Sequence, residues 1–201
     1  KKIIVLGAGG VGKSALSILF VHGLFVELHD PTVEDFFSKR SIIDGQQYLL
    51  HIVDTAGLEE YSMLMRDQYI REGDAFVLVF SLTDVESYEK VREYYNHIAR
   101  FRNISQVPVL IAANKSDLET ERKVAVEDAD KLAKEMGVEL IVTSAKLSYQ
   151  VNAIFENVIR KSADHQALLQ KPASSFKKLA QSSHDSKKKV SKQSSRSCLL
   201  M

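Results

Sequence analysis

Residues 7–14 read GAGGVGKS directly after the apolar run IIVL of residues 3–6, and residues 114–117 read NKSD directly after PVLIAA of residues 108–113. The first stretch has the form G-x-x-x-x-G-K-[ST] and falls between a buried strand and the start of a helix, where a phosphate-cradling loop has to lie. Gly7, Gly9, Gly10 and Gly12 admit backbone conformations that a side chain opposes, so successive N–H groups can converge on phosphate oxygens. Lys13 then reaches the terminal phosphates. Ser14 offers Mg²⁺ a hydroxyl oxygen, the ligand type that this hard cation prefers, and the helix opening at Lys13 points its positive end at the anion. A plain glycine-rich turn is the competing reading, but eight residues in register between strand and helix leave it little room. The second stretch supplies the base. A phosphate loop alone implies a nucleotide, and Asn-Lys-x-Asp after a second buried strand implies guanine.

Outward from these motifs, short apolar runs alternate with helical patterns. The runs are IIVL (3–6), YLLHIV (48–53), AFVLVF (75–80), PVLIAA (108–113) and VELIVT (138–143). Most are apolar nearly throughout, as in strands covered on both faces. Thr83-Asp84-Val85-Glu86 reads as a capping box opening a helix that runs to about Phe101. Val151, Ile154, Phe155, Val158 and Ile159 recur at helical spacing and form one apolar stripe. Asp44-Gly45 favours a tight hairpin, and hence an antiparallel edge strand. The pattern is that of a doubly wound α/β domain, with a mostly parallel six-stranded sheet and one antiparallel edge strand.

The chain has 201 residues, enough for one substantial core, and a net charge of +1 that hides a division. Residues 177–197 carry net +6 and the rest net −5, so an acidic body bears a basic tail. With Cys198 as the one cysteine, no internal disulfide forms and nothing points to an oxidising compartment. No run approaches the eighteen or so apolar residues that span a bilayer, and the amino end lacks a signal-peptide pattern. The sequence begins Lys1-Lys2 without Met, so further residues are expected to precede it.

On these residues the chain resembles a Ras-family small GTPase over residues 1 to about 165, a P-loop NTPase domain, and its tail resembles that family's hypervariable region. Besides GAGGVGKS and NKSD it carries, in the family's order, DPTVEDF at 30–36, DTAG at 54–57, EEYSMLMRDQY at 59–69 and TSAK at 143–146. DPTVED and MRDQY point to the Ras or Rap branch. The resemblance implies that Asp117 accepts hydrogen bonds from guanine N1 and N2, donors that adenine lacks. It implies that Asn114 meets the N7 edge, that Lys115, Lys146 and Phe25 sandwich the ring, and that the Ala145 N–H reads O6. It gives Mg²⁺ the ligands Ser14, Thr32 and, through water, Asp54. Thr32 and Gly57 also offer backbone N–H groups to the γ-phosphate, so both loops relax when it leaves. Lys13, Thr32, Gly57 and the residue at Leu58 make up the implied catalytic set. Ala8, Val11, Ala15, Val26, Glu27, His29, Pro31, Thr55, Ala56, Leu118 and Ser144 line the nucleotide. The effector region is His29, Asp30, Pro31, Thr32, Val33, Glu34, Asp35, Phe36 and Phe37.

Two positions depart from the family. Leu58 stands where Ras has the glutamine that orients the attacking water, and leucine has neither donor nor acceptor. Impaired hydrolysis follows, with loss of most of the roughly 10³ to 10⁵ gain that an arginine finger gives GTPases. The bland reading is a harmless apolar residue in a loop. His29 stands where Ras has a tyrosine over the phosphates, so the lid and part of partner recognition lie outside what the resemblance carries.

Cys198-Leu199-Leu200-Met201 fits the C-a-a-X prenylation signal, with Met favouring farnesyl. One lipid anchors weakly, and Lys177, Lys178, Lys187, Lys188, Lys189, Lys192 and Arg196 supply a second signal of about 1 kcal/mol each near an anionic leaflet. Residues 171–201 are rich in Ser and poor in large apolar groups, the composition of a disordered linker. A nucleic-acid-binding tail is the competing reading of the charge, and the terminal cysteine favours a membrane. The expectation is a GTP-binding domain over 1–165 and a polybasic tail over 166–201. Together they form a GTP/GDP switch at the cytoplasmic face of the plasma membrane or an endomembrane. Its partners are exchange factors, GTPase-activating proteins and effectors with Ras-binding domains, and not nucleic acid. A GTP-locked effector-binding module and a P-loop kinase or ATPase are the alternatives. NKSD and the lack of an acceptor-substrate domain oppose the last.

Overall fold

The structure, a computed structural model, describes residues 1–26, 34–55 and 63–170, with backbone alone for 63–66 and 163–170. Its elements are β1 (Lys2–Leu6), α1 (Lys13–His22), β2 (Glu34–Ile43), β3 (Gln46–Thr55), α2 (Met63–Glu72), β4 (Ala75–Ser81), α3 (Val85–Phe101), β5 (Val109–Asn114), α4 (Val126–Met136), β6 (Glu139–Val142) and α5 (Val151–Gln170). Packing divides the chain into Lys1–His165 and Gln166–Met201, and of the second only the helical residues 166–170 are described. No helix among the described residues is long and apolar enough to cross a membrane.

The strands form one six-stranded sheet in the order β2-β3-β1-β4-β5-β6, parallel throughout except for β2 against β3. The runs of β1, β4 and β5 become strands covered on both faces, whereas β3 buries Leu50, Ile52 and Val53 and leaves Leu49 and His51 exposed. In β1, Ile3 and Val5 enter a core with Leu16, Phe20, Phe155 and Val158, while Ile4 and Leu6 enter a second core with Val91, Ile98 and Leu132. β4 divides the same way, with Val77 and Val79 on one face and Phe76, Leu78 and Phe80 on the other. A fully buried side chain of this kind contributes about 1.5–3 kcal/mol, so two cores sharing one sheet dominate the stability. The stripe expected on α5 faces the first core, where Phe155 stacks on Phe20 with ring centroids 4.2 Å apart.

The hairpin forms where expected. Asp44 at φ 52° and Gly45 at φ 79° both take the left-handed conformation of a two-residue turn, and Ile43 pairs with Gln46 across it. The start of α3 is a correction. Asp84, not Thr83, caps the helix, its carboxylate accepting the Glu86 N–H at 3.1 Å. The Thr83 hydroxyl is engaged by Ser81 Oγ at 2.8 Å, so the aspartate one residue later takes the orphan donor.

Candidate nucleotide site

β1 lies between β3 and β4, so the chain leaves β1 for one half of the sheet and later returns to build the other. At such a reversal the carboxyl ends of neighbouring strands splay their loops apart and leave a crevice. Residues 7–14 follow β1, Asp54 and Thr55 close β3, NKSD begins at Asn114, the last residue of β5, and TSAK follows β6. Four motifs scattered through the sequence thus share one rim. Asp54 is level with Val5 in the sheet and fully buried, and Thr55 Oγ1 donates to the Val5 carbonyl at 2.8 Å.

Within the loop, a side chain is opposed at three positions, at Gly10 by its φ of 71° and at the other two by direct contact. A Cβ on Gly7 would stand 2.2 Å from the Val79 carbonyl oxygen, and one on Gly12, at φ 97°, would stand 2.4 Å from Asn114 Nδ2. Gly9 differs from expectation, for its Cβ would meet nothing within 4 Å and its φ is not left-handed. Gly12, which has no side chain to offer, is the N-cap of α1, and the first turn of that helix opens onto the loop. Lys13 is buried, with Nζ donating to the Ala8 carbonyl at 2.9 Å across the loop.

The base-side residues form a network that reaches back to this loop. Asn114 Nδ2 donates to the Val11 carbonyl at 2.9 Å, and its Oδ1 accepts from Thr143 Oγ1 at 3.1 Å and from the Ala145 N–H at 3.2 Å. Asn114 is therefore a strut between β6 and the phosphate loop, with one amide hydrogen left for a further acceptor. The Ala145 N–H, expected to read a base oxygen, is here engaged by Asn114. Ser144 Oγ donates to Asp117 Oδ1 at 2.5 Å and accepts the Leu147 N–H at 3.0 Å, which fixes the carboxylate while leaving it acceptor capacity. Lys115 sits at φ 62°, rare for a non-glycine residue, and the Ser116 N–H donates to the Thr143 carbonyl at 3.0 Å.

Of the expected ligands of a guanine nucleotide, the structure gathers Gly7 to Ala15, Asp54, Thr55, Asn114, Lys115, Asp117, Leu118, Ser144, Ala145 and Lys146 at the rim. Phe25 and Val26 lie past the end of α1, both exposed. Glu27, His29, Asp30, Pro31, Thr32, Val33, Ala56, Gly57, Leu58 and Cys198 lie outside the described residues. The donors fit the ion and the nucleotide. Ser14 hydroxyl and Asp54 carboxylate are hard oxygen ligands, and Mg²⁺ at phosphate sites takes one or two protein ligands beside phosphate and water. Among the described residues no three His, Cys, Asp or Glu cluster as an all-protein metal cage would need. Sequence reasoning missed Thr143 as a support of Asn114 and Ser144 as a support of Asp117, since their partners lie 29 and 27 residues away.

The family model described as the Ras family matches residues 2–164. The chain is 45% identical over 163 residues to the Ras-like protein 1 of Saccharomyces cerevisiae, covering 81% of this chain and 52% of that protein. It is 43% identical over 159 residues to the Ras-like protein RAS2 of Hydra vulgaris, covering 79% of this chain and 82% of that protein. The chain thus spans about half the length of the yeast relative.

Proposed function

The chain belongs to the Ras family, small GTPases that signal by binding GTP or GDP with Mg²⁺, and on that footing we propose a membrane-tethered switch with slow hydrolysis. The observation that carries the reading is the Asn114 strut. One side chain bonds the phosphate loop and the base-side loop at once, so the two halves of a guanine nucleotide site are held in register. Residues 1–165 form the nucleotide-binding domain and 166–201 a tail.

Ser14, Thr32 and Asp54 are the residues that would hold Mg²⁺, which when bound would supply charge neutralisation at the phosphates. The chain itself binds, orients and encloses. Loop N–H groups and Lys13 hold the phosphates, while Asp117, fixed by Ser144, selects guanine. Thr32 and Gly57 sense the γ-phosphate. Leu58 cannot orient water, so turnover is slow. Prenylated Cys198 and the basic tail hold the protein at an anionic cytoplasmic leaflet, and exchange factors, activating proteins and effectors act there. The nucleotide that copurifies with the full chain tests the reading. GDP or GTP, displaced by excess GTP and not by a hundredfold excess of ATP, is the expected result, and displacement by ATP contradicts it.

A further inference from the structure

Several contacts tie α2 to α3, and they differ in kind. Arg102, just past α3, donates to the carbonyls of Ile70, Arg71 and Gly73, and a guanidinium keeps its charge across the whole pH range in which proteins fold. The Arg71 guanidinium lies over the Phe101 ring, 4.6 Å from its centroid. At His97 the partner is Asp67, with Nε2 3.0 Å from Oδ1. This last contact is the one whose strength follows a proton near neutrality, because imidazole is the side chain that gains its charge between about pH 5 and 8. Both partners are largely withdrawn from water, the His97 side chain 20% and the Asp67 side chain 29% exposed, so salt screens the pair less than a surface pair.

The surroundings of the imidazole decide the direction of the effect. From α2, Asp67 touches it directly, Arg71 packs on Phe101 instead, and the Arg66 side chain lies outside the described residues. Phe101 meets the imidazole edge-on, centroids 5.4 Å apart at 67°. On α3 itself Glu93 lies one turn before His97 and Arg100 one turn after, both exposed. Toward β4 the helix buries Val91, Tyr94 and Ile98 in a core with Phe76 and Phe80, which carry no charge. On the side of α4, Glu135 is paired with Arg92 and Asp128 with Lys131. Coulomb energy falls with separation, so the carboxylate in contact outweighs the charges beyond it. A neutral imidazole can give Asp67 one ordinary hydrogen bond, and a protonated one gives a charge-assisted bond roughly twice as strong.

We propose that His97 and Asp67 form a proton-operated latch, in which protonation of the imidazole fastens α2 to α3 and deprotonation loosens it. The added hold is full below the titration range of imidazole, shrinks as pH rises through it, and ends in acid where carboxylates take up a proton. α2 begins at Met63, five residues beyond Leu58, so whatever fixes α2 fixes the far end of the segment that carries Gly57 and Leu58. Only that reach to Gly57 and Leu58 rests on the switch reading, and the latch itself stands on the contact between the two helices.

Amide exchange of the full chain at about pH 8 and about pH 6, expressed as protection relative to an unstructured peptide at the same pH, tests the latch without reference to the nucleotide. Protection of α2 is expected to rise roughly fivefold at the lower pH while that of α5 stays unchanged. His97→Gln and Asp67→Asn are expected to abolish the rise. His97→Lys, which carries its charge at both pH values, is expected to keep α2 protected at both. Protection of α2 that is flat between the two pH values in the original chain overturns the latch. So does a rise that survives in His97→Gln, or one that α5 shares.

Discussion

Gly12 shows how tightly single residues are specified at the site. Its φ of 97° is costly for any side chain, and the Asn114 amide that an added methyl would strike is held by three hydrogen bonds. Gly12→Ala is expected to lose at least about 1 kcal/mol of stability by denaturant titration and to weaken nucleotide binding, because the strut moves with the loop. Gly9→Ala, with open space around its Cβ, should leave the stability of the protein itself unchanged. At Asp117 the substitution to Asn puts a donor where guanine N1 and N2 need an acceptor. The variant is expected to shift preference from GDP toward XDP in competition binding, and an unchanged ratio would mean that Asp117 does not read the base. The motif letters singled out Asn114 and Asp117 because the base-recognition motif expected of them is local to four residues, and the structure places both at the rim. Their supports were not legible. Nothing in the sequence near Thr143 or Ser144 says which carboxylate or amide the fold will bring to them.

Whole elements were legible where burial is complete. β1, β4 and β5 are covered on both faces, so an apolar run marks each of them, and Asp44-Gly45 marks the hairpin by its dihedral demands. The α3 cap was misplaced by one residue because two adjacent side chains can each cap, and the choice fell to the Ser81 hydroxyl that occupies Thr83. The hold on α2 has no sequence signature at all. Arg102, just past α3, donates from Nη1 to the carbonyls of Ile70 at 3.0 Å, Arg71 at 2.8 Å and Gly73 at 2.8 Å, satisfying the end of α2. His97 meets Asp67 at 3.0 Å one turn earlier. Arg102→Ala is expected to cost about 1–2 kcal/mol and to speed amide exchange in α2 while leaving α5 unchanged, and uniform exchange across both helices would refute that role. Glu139 of β6 plays a similar part for α5. Burial pushes its carboxyl up, but hydrogen bonds from Lys161 and Asn157 and the Lys161 charge outweigh this and hold it below the ordinary range. A lowered carboxylate stabilises the fold above its unfolded value and loses that contribution as pH falls through the folded one. The Glu139→Gln protein should therefore be less stable at neutral pH, by under about 1 kcal/mol because the pair is a third exposed, and the difference should vanish well below pH 4.5.

At the scale of the whole molecule, the division of charge assigns different tasks to the two parts. A body of net −5 is not drawn to an anionic surface, so in the proposed membrane-tethered switch attachment falls to the tail of net +6 and to Cys198. Cys198→Ser is expected to move the protein to the cytosol, and raising salt to weaken binding of the lipidated form to anionic vesicles. A Cys198→Ser protein that stays on membranes would assign the anchoring elsewhere. The proposed nucleotide and Mg²⁺ contacts of the body do not need the missing glutamine, so nucleotide affinity and hydrolysis should separate. Water positioning acts in the transition state far more than on ground-state binding. Single-turnover hydrolysis of preloaded GTP, in the original chain and in Leu58→Gln, with and without a Ras-type activating protein, reads this directly. The account predicts slow hydrolysis and little response to the activator in the original chain, both restored in Leu58→Gln at nearly unchanged nucleotide affinity. Hydrolysis in the original chain as fast as in Leu58→Gln, with and without the activator, would contradict it.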